Sequence, residues 1–207
     1  MSISILYSAI PPNSTLYARL QREKALSVLM VSLFPHGCGI FRVFEIEYEI
    51  DEILADVIER HHETFGSELE ASQAIAEFRS ELRQTRQAYP GIEDRSALLE
   101  SSSVEIEKRL VHELSRRQIA NADRIVKRLI FGDQTLAPTL LPAKESLGLI
   151  SRELVSGGAS IFRQINPATL FARDEGWEGW CLNHLERWRG LYLSADEKNE
   201  EILVGGS

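Results

Sequence analysis

The sequence predicts an α+β fold, in which a small, mainly antiparallel sheet is covered by five or six helices. The first observation is that β-forming residues are concentrated near both ends of the chain, at 2–10 and 200–205. The second is an alternating segment at 41–50, and the third is a set of long segments with apolar residues at helical spacing. We expect a single domain, 1–207, in which both terminal strands join the sheet.

The first helix is predicted to follow strand 2–10 directly. A Pro-Pro pair ends the strand, because proline has no amide hydrogen to extend the ladder. Asn13 or Ser14 can then cap a helix that reaches about Phe34. The segment 35–39 contains two glycines and stops this helix.

Segment 41–50 combines apolar residues with an acidic ladder, Glu45, Glu47 and Glu49, at every second position. A period of two is typical of a half-buried strand, so the three carboxylates should face solvent. They either protect a sheet edge from aggregation or form a binding site for a basic protein partner, and both interpretations stay open.

The remaining helices are predicted from their caps and their apolar periodicity. Ser67 and Ser102 are each followed three residues later by glutamate, which is the pattern of a capping box. The serine-rich segment 91–103 between two of the helices is the strongest candidate for a mobile loop, and 132–142 is also predicted as a loop. The predicted helices span 51–61, 67–89, 102–131, 143–165 (with a bend at Gly157-Gly158) and 177–195.

Composition and charge limit the classes of function. The formal net charge of −8 argues against nucleic-acid binding, because phosphate neutralisation requires a clustered excess of Lys and Arg. The longest apolar run, 25–34, is about half the length of a membrane-spanning helix, so no membrane partner is expected. Two cysteines and the absence of a secretory signal predict a reducing, cytoplasmic location.

No sequence motif for catalysis or for a cofactor is complete. His36 and Cys38 share a glycine-rich turn, but no third residue can be named that would orient a base, so an enzyme is not favoured. Glu59-x-x-His62, beside His61, matches one half of a di-iron element and suggests a metal site as one hypothesis. No phosphate-binding glycine loop is found, and no cofactor is expected.

All three tryptophans lie at the start of the last predicted helix or within it. Trp180, His184 and Trp188 share one face of that helix, which predicts that the face packs on the core. His184 is then either a hydrogen-bonded core histidine or the wall of a ligand pocket. In the second case the loop 171–175, which contains Arg173, would complete a small-molecule site.

The two ends of the chain resemble the YfbM-like family of bacterial proteins. The resemblance rests on the strand at the first methionine and on the terminal segment LERWRGLYLSADEKNE followed by EILVG. It implies an intracellular α+β protein whose terminal strands belong to one sheet, and it carries over no catalytic residue. The chain departs from the family pattern because it has no tryptophan before Trp177.

Three hypotheses on function follow, in this order. The first is a non-enzymatic interaction or regulatory protein of the immunity type, whose acidic surface binds a basic partner. The second is a small-molecule-binding protein or enzyme with a pocket near Trp180 and His184. The third is a metal-binding protein around His61 and His62. The oligomeric state is open, with a homodimer as one option.

Overall fold

A computed structural model describes residues 5–33, 41, 55–60, 62–136 and 147–206. In this part of the chain, one antiparallel sheet contains the strands β1 (Ile5–Ile10), β2 (Ser96–Leu99), β3 (Gln134–Leu136), β4 (Leu147–Ile150) and β5 (Glu201–Gly206). Their order in the sheet is β2-β1-β5-β4-β3, and each neighbouring pair is antiparallel. The predicted pairing of the two terminal strands is confirmed, because β1 and β5 are direct neighbours.

The helices lie between these strands in chain order. None of those described is both long and apolar enough to cross a bilayer. Together with the sheet they confirm the predicted α+β class. They are α1 (Thr15–Leu20), α2 (Lys24–Leu33), α3 (55–60), α4 (His62–Phe65), α5 (Glu68–Ala88), α6 (Ser102–Arg116), α7 (Ala122–Phe131), α8 (Arg152–Gln164) and α9 (Trp177–Lys198), with single 3₁₀ turns at Ile92–Asp94 and Pro167–Thr169.

The sheet is buried on both faces, which gives the described chain three layers. Along β1, the side chains of Ile5 and Tyr7 pack with α6 to α9, and those of Leu6 and Ile10 pack with α1 to α5. All six residues of β1 are buried, as expected for a central strand covered on two sides. The helices before β2 therefore cover one face, and the helices after it cover the other.

Two core tyrosines tie the C-terminal end of α7 to the sheet and to α9. The Tyr7 hydroxyl donates to the Ile130 carbonyl at 2.9 Å, and the Tyr192 hydroxyl donates to the Leu129 carbonyl at 2.7 Å. Carbonyl groups in the last turn of a helix have no partner within the helix, so these bonds satisfy acceptors that burial would otherwise leave unpaired.

Two predicted helices are each broken in the structure. The helix expected from Ser14 to Phe34 is interrupted between α1 and α2, although Ser14 is the cap, accepting from the Tyr17 amide at 3.1 Å. The helix expected over 102–131 is divided into α6 and α7. The break occurs where Gln118 and Asn121 have left-handed backbone, with φ of 60° and 58°, a conformation that ends a helix even though the apolar stripe continues.

The predicted helix 143–165 begins later than expected, because β4 occupies residues 147–150 and Ser151 caps α8. α8 is continuous through Gly157-Gly158, where a bend was predicted, and the bend itself stays a prediction. Gly158 serves close packing. A Cβ atom at this position would lie 2.7 Å from side-chain atoms of both Leu129 and Tyr192.

The two predicted loops each contain a strand. Segment 91–103 holds β2, in which Ala97 and Leu99 are buried, and 132–142 holds β3. Both strands are too short for a periodic pattern to stand out in the sequence. The predicted strand 41–50 lies outside the described residues except for Phe41, which is buried in a 3₁₀ turn, so Glu45, Glu47 and Glu49 are not described.

Candidate functional site

Trp188, one of the predicted pocket residues, lies in the core. Its side chain is fully buried, and the centroids of its ring and those of Tyr7, Phe162 and Tyr192 are 5.7, 5.2 and 5.5 Å apart. Aromatic pairs at these distances and tilts stabilise a core beyond the area they bury. Trp188 therefore anchors α9 between the sheet and α8 and does not line a cleft.

His184 is a hydrogen-bonded histidine in the interface between β2, α6 and α9. Its Nδ1 atom lies 3.2 Å from the Ser102 hydroxyl, and a ring N–H donates to the Leu98 carbonyl. The Trp180 ring packs against it with centroids 4.3 Å apart. Burial lowers the pKa of His184, so the neutral ring is favoured. Of the two interpretations of this residue, the structure supports the core histidine.

The contact with His184 also explains why the second predicted capping box is wrong. Ser102 is not the N-cap of α6, which is Ser101, and the Ser102 hydroxyl contacts the imidazole. The capping box at Ser67 is confirmed, because its hydroxyl accepts from the Glu70 amide while the Glu70 carboxylate accepts from the Ser67 amide.

The loop 171–175 was expected to complete the tryptophan pocket. It instead supplies hydrogen bonds to the backbone at the N-terminal end of α9. Asp174 Oδ1 accepts from the amides of Gly176 and Gly179, at 3.0 and 2.9 Å. Arg173 is exposed and forms an ion pair with Glu186 at 3.1 Å. The structure thus joins Trp180 to His184 but does not bring Arg173 and Trp188 to them as a binding constellation.

The predicted metal residues are only partly described. Glu59 is exposed on α3, whereas His61 and the side chain of His62 lie outside the described residues. Within the described ranges, no group of three His, Cys, Asp or Glu residues is placed so that it could hold a metal ion. The metal hypothesis therefore stays a prediction.

A site that the sequence did not indicate lies at one end of the sheet. Here β1 ends, β2 and β5 begin, and α8 starts, and together with the ends of α5 and α9 they enclose a cleft of about 700 Å³. We call it the sheet-end cleft. It is lined by Pro11, Pro12, Asn13, Ala88, Tyr89, Pro90, Arg95, Arg152, Lys198, Asn199, Glu200 and Glu201.

The sheet-end cleft contains a buried ion pair. Arg95 Nη2 donates to Glu200 Oε1 at 2.8 Å, and the two side chains are only 7% and 4% exposed. The backbone fixes both residues, because the Arg95 carbonyl accepts from the Ala9 amide and the Glu200 amide donates to the Ala195 carbonyl. Asn199, which precedes Glu200, has left-handed backbone that turns the chain from α9 into β5.

Several polar atoms around this ion pair have no hydrogen-bond partner among the described residues. They are Arg95 Nε, Glu200 Oε2 and Glu201 Oε2, and all three are buried. Burial raises the pKa of Glu200, and this effect outweighs the opposing charge of Arg95. The pKa of Tyr17 is also raised, first by burial and then by its hydrogen bond to Glu201. The ion pair is thus geometrically fixed and incompletely hydrogen-bonded.

The lining of the sheet-end cleft combines two kinds of chemistry. Arg152, Asn199 and Lys198 are exposed, and Arg152 Nη2 donates to the Asn199 side-chain oxygen. The lining also includes prolines, with Tyr89 and the exposed Ala88 at the end of α5. The cleft is therefore amphipathic, because exposed cations, apolar rings and a buried ion pair all line it.

Sequence reasoning missed this site because no local pattern marks it. Arg95 and Glu200 are separated by 105 positions, and the pairing depends on the sheet order. The one local signal is that both are charged residues placed immediately before a strand. That signal is weak, since charged residues commonly flank strands on the surface.

Comparison of the chain with protein-family models, with curated proteins and with solved structures found no match. The resemblance to the YfbM-like family therefore stays a prediction.

Proposed function

We propose that the protein binds a small molecule in the sheet-end cleft, beside the Arg95–Glu200 ion pair. The observation that carries the proposal is that Arg95 and Glu200, a buried ion pair, line a cleft of about 700 Å³, and that behind its surface one nitrogen of Arg95 and one oxygen of Glu200 have no partner among the described residues. Clefts of this size with a few convergent polar groups are typical of small-molecule sites.

The energetics of the ion pair favour a role beyond stability. Removing two charges from water costs several kcal/mol for each ion, and a single hydrogen bond between Arg95 and Glu200 returns only part of that cost. Each unpartnered buried atom costs about 1–3 kcal/mol more. Polar groups that a fold keeps at such a cost are concentrated at functional sites.

Each acidic group of the cleft is engaged through one oxygen only. The Glu200 carboxylate accepts from Arg95, and the Glu201 carboxylate accepts from the Tyr17 hydroxyl. The second oxygen of each carboxylate is buried and unpartnered, and the proposal is limited to binding. The hypothesis of a basic protein partner depends on Glu45, Glu47 and Glu49, and it stays a prediction because these residues are not described.

Blocking the sheet-end cleft tests the proposal. Ala88 is exposed at the end of α5 and lines the cleft, so Ala88→Trp fills space there without entering the core. Ala76 is exposed on the same helix but does not line the cleft, and Ala76→Trp is the matched control. Binding of a library of small acids, amides and amines is measured by saturation-transfer NMR.

We expect compounds that bind the wild-type protein to bind Ala76→Trp equally and to lose binding to Ala88→Trp. Thermal unfolding of both variants verifies that the fold is unchanged. The proposal is contradicted if no compound in the library binds the wild-type protein, or if the compounds that do bind are retained by Ala88→Trp.

A further inference from the structure

The charges that line the sheet-end cleft differ in sign from the charge of the whole chain. The chain has a formal net charge of −8, whereas the cleft has three cations, Arg95, Arg152 and Lys198, against the carboxylates of Glu200 and Glu201. Arg95 and Glu200 neutralise each other as an ion pair. The remaining lining charges, two cations and one carboxylate, make the cleft locally positive on an acidic protein.

The two exposed cations lie on the same side of the cleft. Arg152 is the first residue of α8 and Lys198 is the last residue of α9, and the side chain of Asn199 accepts a hydrogen bond from Arg152. The nearby carboxylate of Asp196 forms an ion pair with Arg163 at 2.7 Å, and the charge of Arg152 also acts on it. Because Arg152 begins a helix, the positive end of the helix dipole adds to the charge of its guanidinium group.

The lining also suits an apolar group. Pro12, Tyr89 and Pro90 contribute rings to it, and Tyr89 is half-buried. A planar or aliphatic body packs on such surfaces because both sides lose apolar area to water. The cleft thus offers a place for an apolar body and a separate place for a negative charge.

We infer that the sheet-end cleft selects small anions with an apolar body. The anionic group is held by Arg152 and Lys198, and the body packs on Pro12, Tyr89 and Pro90. This inference rests on the proposed function and narrows its ligand class. Carboxylates and phosphate monoesters share the required chemistry, since guanidinium and ammonium groups form charge-assisted hydrogen bonds to both.

Four fluorinated probes of nearly one shape separate the effects of charge from those of shape. They are 4-fluorobenzoate and 4-fluorophenyl phosphate as anions, 4-fluorobenzamide as the neutral analogue and 4-fluorobenzylamine as the cation. Dissociation constants are measured by ¹⁹F NMR titration at neutral pH. We expect at least one anion to bind about tenfold more tightly than the amide, with the amine weakest. Comparison of the benzoate with the phosphate shows whether the cleft prefers a carboxylate or a phosphate monoester.

A double variant tests the two cations. Arg152→Gln/Lys198→Gln removes both charges from exposed positions, and Arg124→Gln/Lys127→Gln makes the same charge change at exposed positions on α7, outside the cleft. We expect the first variant to lose most of the preference for the anion and to keep its affinity for the amide. The control should keep the preference, because long-range charge effects are screened.

The outcomes separate the two proposals. If the amide or the amine binds as tightly as both anions, or if Arg152→Gln/Lys198→Gln keeps the preference for the anion, the inference on ligand class is overturned. The cleft is then still supported as a site if the probe that binds the wild-type protein does not bind Ala88→Trp. If none of the four probes binds the wild-type protein, the inference also fails, and the broader library decides the proposed function separately.

Discussion

The two ends of α9 differ in how far their polar groups are satisfied. In the first half of α9, His184 has partners in Ser102 and Leu98, and its neighbours in the sequence include Cys181 and all three tryptophans. At the far end, Glu200 forms one hydrogen bond to Arg95 and keeps a second buried oxygen without a partner. The polar groups of His184 are thus satisfied, whereas those of the ion pair are not, although the buried Trp188 Nε1 in the middle of α9 also has no partner among the described residues.

This difference shows that the kinds of residue in a segment are a poor guide to a binding site. His184, Cys181 and Trp188 pack in the core and Trp180 packs against it, because a helix face that meets other helices must be filled, whereas Trp177 is 51% exposed. A ligand site instead needs groups whose hydrogen bonds the fold leaves incomplete. Substitutions near His184 and at the ion pair should therefore change the free energy of unfolding by different amounts.

The largest expected effect comes from breaking the ion pair at the C-terminal end. Glu200→Met leaves the Arg95 charge buried without a partner, which should lower the free energy of unfolding by about 3–5 kcal/mol. The double variant Arg95→Met/Glu200→Met removes both charges and should recover most of this loss. Urea unfolding followed by circular dichroism measures both. If the double variant is as unstable as Glu200→Met, the loss of stability comes from packing and not from the unpaired charge of Arg95.

A smaller effect is expected at the other end of α9. Ser102→Ala removes the hydroxyl beside His184 Nδ1 and should lower the free energy of unfolding by about 1–3 kcal/mol, because a buried ring nitrogen loses its partner. Ser101→Ala is the control, since the Ser101 side chain is exposed and forms no cap hydrogen bond. Equal losses in both variants would favour helix capping over the contact with His184.

The pH dependence of stability should also depend on His184. Burial lowers the pKa of its ring below the usual value of about 6.5, with Arg187 acting in the same direction and Glu100 and Leu98 against it. The unfolded chain therefore binds the proton more tightly. The stability that the neutral ring contributes is present above about pH 6.5 and is lost as the pH falls toward the lowered pKa.

Replacement of this ring should flatten that decline. We expect His184→Gln to reduce the slope of unfolding free energy against pH just below about pH 6.5, where one proton accounts for at most about 1.4 kcal/mol per pH unit. His112→Gln, which makes the same replacement at an exposed position on α6, is the matched control, and the change of slope in His184→Gln is measured against it. An unchanged slope in His184→Gln would contradict the structural account of this residue.

The parts of the fold that could be predicted from the sequence are those encoded locally. Terminal segments rich in β-forming residues became β1 and β5, and the capping box at Ser67 opens α5 as expected. The short strands β2 and β4 were not predicted, because four residues supply too few periods to separate a strand from a loop or helix. Helix breaks at Gln118 and Asn121 escaped because neither residue is a strong helix breaker.

The site was less predictable than the fold, for a physical reason. Arg95 and Glu200 meet only because the turn from α9 into β5 and the start of β2 lie at the same end of one sheet. Whether their remaining atoms find partners depends on the whole packing around them. Helical projection correctly placed Trp180, His184 and Trp188 on one face, but it could not reveal which hydrogen bonds that face would complete.

The smallest expected effect is at Arg173, an exposed arginine near the start of α9 and outside the sheet-end cleft. This side chain is 74% exposed and pairs with a partly exposed Glu186, so Arg173→Ala should change the free energy of unfolding by less than about 0.5 kcal/mol. It should also leave the affinity for 4-fluorobenzoate unchanged, whereas Arg152→Ala, which also removes an exposed arginine, should weaken it severalfold. Because both variants lose the same charge, a benzoate affinity that falls equally in the two would show that net charge alone attracts the anion, and that the sheet-end cleft does not position it.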